Sequence, residues 1–293
     1  MAASENLRGM ALMTGSMAFF ATGDALIKDL SATMAQGHII WMMGLGGLIV
    51  FAIVGLVRNQ PPISRDLLDR YVLMRMLSEA VAVIGIVMAL SLVPFSTVVA
   101  IMQSVPLIVT LGAVLLLKEQ VGWRRWLAIF VGFVGVMLLV RPGSTEFSPA
   151  VLLAVLGTFG IAGRDLFARM APKSSTHIQL STWSFAALFP AGIFLAVLLN
   201  QPLLQPTFGQ LSAVAAIVAA AGVAVMLVTM AMRMGDVAVV APMRYTRLIF
   251  GLFIAIIWFG ERPDALTWLG AAIIVASGLY AYYRERAAAL AAG

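Results

Sequence analysis

Ten apolar stretches, each long enough to cross a lipid bilayer, fill almost the whole 293-residue chain and fall into two sets of five that share a local pattern. Asp24 with Lys28 recurs as Asp165 with Arg169, 141 residues on. Glu119 with Trp126 recurs as Glu261 with Trp268, 142 residues on. Five is an odd number, so the second copy must enter the bilayer from the opposite side, and the two copies become inverted repeats. The expected fold is therefore an all-α integral membrane protein, with ten transmembrane helices in two inverted five-helix repeats around a central cavity. Residues 1–146 and 147–293 form the two halves of one membrane domain.

Composition agrees. Hydrophobic residues make up 62% of the chain and charged residues 11%, leaving too little polar surface for a soluble domain of this length. A span needs about 20 mostly apolar residues, so ten spans and short links leave no room for a soluble catalytic domain. Cysteine is absent, which excludes disulfides and thiolate metal sites. Arg8 precedes an apolar run that continues to Lys28 without a small-residue cleavage site, so this run reads as a retained first span.

The expected spans are 9–28, 38–57, 71–91, 95–117, 124–140, 150–170, 177–199, 210–232, 237–259 and 265–283. Gln60-Pro61-Pro62, Val93-Pro94, Arg141-Pro142-Gly143, Gln201-Pro202 and Arg262-Pro263-Asp264 punctuate them. Lys and Arg crowd onto one side: Arg58, Arg65, Arg70, Lys118, Arg124 and Arg125 are among twelve there, against Lys28, Arg141 and Arg262 on the other. That bias places both termini in the cytoplasm. It also accounts for the net charge of +6 through topology and anionic lipid, without a nucleic-acid partner. Gly44, Gly46, Gly47, Gly132, Gly135 and Gly251 supply small-residue faces for close helix contact.

Four cationic side chains fall inside the spans: Arg75, Arg164, Arg244 and Arg247. A charge at the bilayer centre costs about 2.5–3.5 kcal/mol on insertion scales, so such residues face protein or water and have partners. Asp24 with Lys28, Arg75 with Glu79, and Asp165 with Arg169 stand four apart on single helices and can pair locally. Those pairs leave Arg164, Arg244 and Arg247 without a local carboxylate. Arg244 and Arg247 lie one turn apart near the middle of the ninth span, beside Tyr245. Either they bridge to Asp24, Glu79 or Asp165, or a guanidinium forks onto a carboxylate or phosphate of a ligand. The second choice favours a zwitterionic or anionic solute.

Pro242 in the ninth span and Pro106 in the fourth each remove a backbone donor and break their helix, which lipid tolerates only beside a cavity or protein. They are the candidate hinges. Gln103 and Ser104 precede the break in the fourth span and are the repeat counterparts of Tyr245 and Thr246. Asp24, Glu79 and Asp165 are candidates for proton coupling or gating, since a desolvated carboxylate can titrate near neutrality. His38 and His177, at span ends, read as ordinary hydrogen-bonded histidines and not as a metal site.

An apolar helix closing in Leu117-Lys118-Glu119, or in Phe259-Gly260-Glu261, precedes a Trp-led helix in each half. With Pro106 thirteen residues before Glu119, this arrangement resembles the EamA-type branch of the drug/metabolite transporter superfamily over essentially the whole chain. The second half departs from it, with Leu248 at the position matching Pro106 and Ala-Pro-Met-Arg-Tyr-Thr-Arg at 241–247. The resemblance implies a multi-pass carrier of the bacterial inner membrane without a cofactor, working as a monomer or weak homodimer in the lipid bilayer. It also implies a small-molecule substrate and a cavity to which Phe20, Asp24, Glu79, Gln103, Ser104, Arg164, Arg244, Tyr245 and Arg247 contribute. Trp41 and Trp183 are second-rank substrate contacts. The expected activity is export of amino acids, including aromatic ones, or similar carboxylated metabolites by alternating access. The alternative is uptake of a nucleoside-like or methyl-donor compound. An intramembrane lipid-modifying enzyme lacks a nucleophile–base pair of recognised spacing, and a channel lacks a filter-like glycine repeat or a charge ring.

Overall fold

The computed structural model describes residues 2–61, 63–118, 122–145, 147–202, 205–234 and 237–292; Glu119 of the repeat signature and Pro62 of the first turn lie outside the described residues. Helix dominates and there is no strand among the described residues. Such a chain satisfies its backbone polar groups within each segment, as a hydrocarbon environment requires.

The helices are α1 Ala2–Ser31, α2 Gln36–Val57, α3 Arg70–Leu92, α4 Phe95–Met102, α5 Val105–Leu117, α6 Trp123–Val140, α7 Val151–Met170, α8 His177–Leu198, α9 Phe208–Met234, α10 Val237–Val240, α11 Thr246–Ile257 and α12 Ala265–Ala292. Short 3₁₀ turns fill Arg65–Leu68 and Ala241–Tyr245. Among the described residues nine helices are long and apolar enough to cross a membrane, with α4 and α5 together forming one of them. The expected boundaries hold to within about a turn except at the ends, where α1 and α12 run further out.

The ninth expected span departs in kind. In place of one helix over 237–259 the chain forms the four-residue α10, a 3₁₀ turn and the twelve-residue α11. Pro242 cannot donate to the preceding turn, and the chain tightens there into i to i+3 bonding. Pro106 acts more mildly because it falls at the start of α5, where its missing donor would be unsatisfied anyway. The Ser104 hydroxyl donates to the Ile101 carbonyl (2.7 Å) and closes that joint.

The described chain divides into two compact units. One comprises Met1–Ala25, Val93–Val151 and Ala219–Gly293; the other comprises Leu26–Leu92 and Leu152–Val218. Each draws on both halves of the sequence, so compactness does not follow a cut at residue 146.

In the second unit α2 and α8 lie backbone to backbone. A Cβ built on Gly192 would stand 2.3 Å from the amide nitrogen of Trp41, and one on Gly44 would stand 2.6 Å from that of Phe189. No side chain fits there, and the contact is made of dispersion between main chains. Phe51 and Phe185 stack beside it with centroids 5.3 Å apart. A capping box of Thr176 and Gln179 starts α8, and Gln179 also donates through Nε2 to the Pro61 carbonyl (2.8 Å). Gly85 and Gly157 let α3 and α7 meet in the same close manner.

In the first unit α6 and α12 cross at Gly135 and Gly270. A Cβ added to either glycine would stand 2.9 Å from the carbonyl oxygen of the other. Asp264 starts α12: one carboxylate oxygen accepts from the Thr267 amide (3.0 Å) and hydroxyl (2.7 Å), and Arg141 closes on it from the end of α6. The Thr267 hydroxyl, followed by Arg141, holds the Asp264 carboxyl down at about 2.

Candidate functional site

Helix α4 begins after Pro94 with no cap of its own, and its first turn therefore offers unpaired amides. Glu261, from the segment after α11, supplies the missing acceptors. Its Oε1 accepts from the Phe95 amide (2.5 Å), and its Oε2 accepts from the Ser96 amide (2.9 Å) and hydroxyl (2.7 Å). The repeat signature singles out Glu261 but not this role. The readable signal is a span opening on Pro-Phe-Ser without a capping side chain. Exchanging Glu261 for glutamine removes the charge and one of the acceptor oxygens, so the melting temperature in detergent should fall by the equivalent of about 1–3 kcal/mol. A variant that melts with the wild type would show the contact to be idle.

The two helix breaks meet within the first unit. Gln103 ends α4 and donates through Nε2 to the carbonyl of Tyr245 (3.2 Å), at the end of the 3₁₀ turn. These two residues occupy matching places in the two repeats. Both Gln103 and Ser104 are buried. The Tyr245 hydroxyl is also buried, has no hydrogen-bond partner among the described residues, and lies where Gly278 leaves room for it.

One turn beyond, Arg247 reaches α1. Its Nη2 and Nε both donate to Oδ2 of Asp24 (2.6 and 3.2 Å), and its guanidinium lies 5.1 Å from the centroid of the Phe20 ring. Asp24 is 7% exposed, so this is an ion pair with little solvent, oriented by a cation–π contact. Of the two alternatives for Arg247, the bridge to Asp24 is the one formed. Phe20 packs with Leu12, Met243 and Phe250 against a buried cluster of Met13, Met17, Ala231 and Val240. Arg244, in contrast, is exposed and makes no hydrogen bond or ion pair among the described residues.

The second unit holds the other span charges. Arg164 on α7 donates through Nε to Asp165 (3.0 Å) and through Nη1 to both oxygens of Glu79 on α3 (3.4 and 3.5 Å). Arg75 donates to the Leu180 carbonyl (2.6 Å) and to the Ser184 hydroxyl on α8, while its Nε is buried without a partner. The local pairs Arg75–Glu79 and Asp165–Arg169 are thus replaced: Glu79 and Arg75 take partners from neighbouring helices, and Asp165 takes the adjacent Arg164 of its own helix. Residues four apart stay about 5–6 Å apart at Cβ and must bend their side chains to touch, whereas a packed helix can present its partner end-on.

Trp183 is 3% exposed and belongs to a core of Val72 and Leu180, which leaves it no surface for a solute. Trp41 is half-buried between His38 and Phe189, both edge-on to it. His38 is buried with neither ring nitrogen hydrogen-bonded among the described residues, against the expectation of an ordinary bonded histidine. The Trp41 ring stands beside it edge-on, with centroids 6.3 Å apart.

A profile of the EamA-like transporter family matches residues 7–141 and again 148–283. The S-adenosylmethionine uptake transporter of Rickettsia bellii is 30% identical over 199 residues, covering 68% of this chain and 67% of that one. The riboflavin transporter of Vibrio cholerae is 33% identical over 192 residues, covering 63% and 61%. The pseudopaline exporter of Pseudomonas aeruginosa is 22% identical over 263 residues, covering 87% and 89%. One solved crystal structure superposes on 98% of the chain with a TM-score of 0.61 at 17% identity, which speaks to fold alone. With the family profile matched once in each half, the chain belongs to the EamA-like transporter family of the drug/metabolite transporter superfamily and is a multi-pass membrane transporter.

Proposed function

We propose that this protein is a secondary carrier for uptake of a nucleoside-like or flavin-like metabolite, a flat heteroaromatic ring joined to a polar, hydroxylated chain. The observation that carries this reading is that relatives 30% and 33% identical are named for S-adenosylmethionine uptake and for riboflavin transport. Those solutes share a nitrogen heterocycle bearing a hydroxylated carbon chain. Amino-acid export, expected from the sequence, becomes the second reading, now as outward movement of a carboxylated metabolite. The pseudopaline exporter supports it, at lower identity but over 87% of the chain.

The carrier works by alternating access between inverted halves 1–146 and 147–293, in the bacterial inner membrane with both termini cytoplasmic, as a monomer or weak homodimer. The helix breaks at Pro106 and Pro242 serve as hinges, since broken spans are where irregular backbone meets a solute. Asp24, Glu79 and Asp165, each ion-paired to an arginine, are the coupling or gating carboxylates. Phe20, Gln103 and Tyr245 flank the solute.

Counterflow in proteoliposomes tests the proposal. Preloaded S-adenosylmethionine or riboflavin is expected to drive saturable accumulation of the same labelled compound. Saturable counterflow of phenylalanine, with neither heteroaromatic compound exchanged, would replace this reading by the second.

A further inference from the structure

We infer that Arg244 is an anion receptor that takes the carboxylate of the transported solute, while Arg247 is a positioning residue committed to Asp24. This rests on the carrier reading above and narrows its substrate to compounds bearing a carboxylate or an equivalent oxyanion.

Arg244 lies seven residues into a broken span that runs from Val237 to Ile257. At a rise of about 1.5–2 Å per residue, that is about 10–14 Å into a hydrocarbon layer about 30 Å thick. The other arginines at such depth have their charge or donors met: Arg247 by Asp24, Arg164 by Glu79 and Asp165, and Arg75 by Leu180 and Ser184. Arg244 alone among these four is exposed with its whole fork of donors unused among the described residues. A guanidinium cannot shed its proton to escape the cost, so it must face water and attract a mobile anion.

Two features make the position suited to recognition. Arg244 sits in the 3₁₀ turn, three residues before Arg247 of α11, whose positive charge Asp24 already neutralises. Asp24 is therefore engaged by Arg247, and Arg244 is left to meet an anion from solution. The turn itself is held still by the Gln103 bond to the Tyr245 carbonyl (3.2 Å), which limits the ordering cost of a bidentate contact. Met243, adjacent in the chain, joins Phe20 and Phe250 in a methionine-rich apolar cluster, an adaptable surface for a ring.

The chain contains no cysteine, so Arg244→Cys would carry a single thiol. Reaction of that thiol with a charged, membrane-impermeant methanethiosulfonate is expected in proteoliposomes; a refractory thiol would mean a lipid-facing position and overturn the assignment. Binding by thermal shift is then compared for two probe pairs, S-adenosylmethionine against its decarboxylated form and phenylalanine against phenethylamine. Wild type should favour the carboxylate by tenfold or more in at least one pair. Arg244→Gln should abolish that preference while the carboxylate-free member still binds, and Arg244→Lys should recover part of it. A wild type with no preference in either pair, or an Arg244→Gln protein that keeps it, defeats the proposal. Preference confined to the phenylalanine pair upholds the receptor while defeating the heteroaromatic reading.

Discussion

Valine at Gly192 is expected to abolish recovery of folded protein from detergent extracts. Helices α2 and α8 touch through their main chains there, with 2.3 Å between an added Cβ and the Trp41 amide nitrogen, well inside van der Waals contact. The obstacle is backbone, which has no rotamer to change. Even alanine should destabilise by the upper part of the usual range of about 1–3 kcal/mol for overpacking, and the two extra methyl groups of valine exceed it. Gly44→Val, directed at the Phe189 amide from the opposite helix, should fail in the same way. Gly222→Ala is the control, since nothing stands within 4 Å of its added Cβ and alanine favours helix by about 0.5–1 kcal/mol. Fluorescence-detected size exclusion after heating should rank Gly222→Ala at or above wild type and both valine variants at baseline. A Gly192→Val protein eluting as a stable, symmetrical peak would mean that the helices do not close to this distance.

The helices are legible in the sequence because hydrocarbon imposes one requirement on every span: enough apolar residues in a row. The breaks at Pro106 and Pro242 are legible for an equally local reason, the missing backbone donor. Charge partners are a different matter. Glu79 can be matched to Arg75 by counting four residues along α3, yet it faces Arg164 because α7 crosses close to α3 at Gly85 and Gly157. Which way a helix is rotated depends on contacts of this kind, and they are written in no single segment. Trp183 misleads for the same reason: an aromatic residue in a span reads alike whether it meets a solute or a core of Val72 and Leu180. At 244 and 247 the sequence poses two alternatives, a bridge to a carboxylate or a contact with a ligand. Deciding between them needs α1, whose Asp24 reaches only one of the two arginines.

Truncating Asp24 to alanine should be as damaging as the glycine changes, but for a reason that a second mutation can reverse. Asp24 is 7% exposed, and its carboxylate is the acceptor of both Arg247 bonds. Its removal leaves a guanidinium with 19% of its side chain exposed and without a counter-charge. Breaking a buried pair from one side costs about 3–5 kcal/mol, whereas exchanging both partners for apolar groups of similar volume is often neutral or better. Asp24→Ala and Arg247→Met should therefore each melt well below wild type, and the double replacement Asp24→Leu with Arg247→Met should regain most of the loss. Recovery of this size is what an ion pair predicts. Two independent structural defects would add. The same double variant separates stability from coupling, because it folds without the carboxylate. If Asp24 carries a proton during transport, counterflow by the double variant should lose the pH dependence shown by wild type. A pH dependence that survives at full amplitude would leave Asp24 a purely structural partner and move the coupling role to the Glu79, Arg164 and Asp165 group of the second unit.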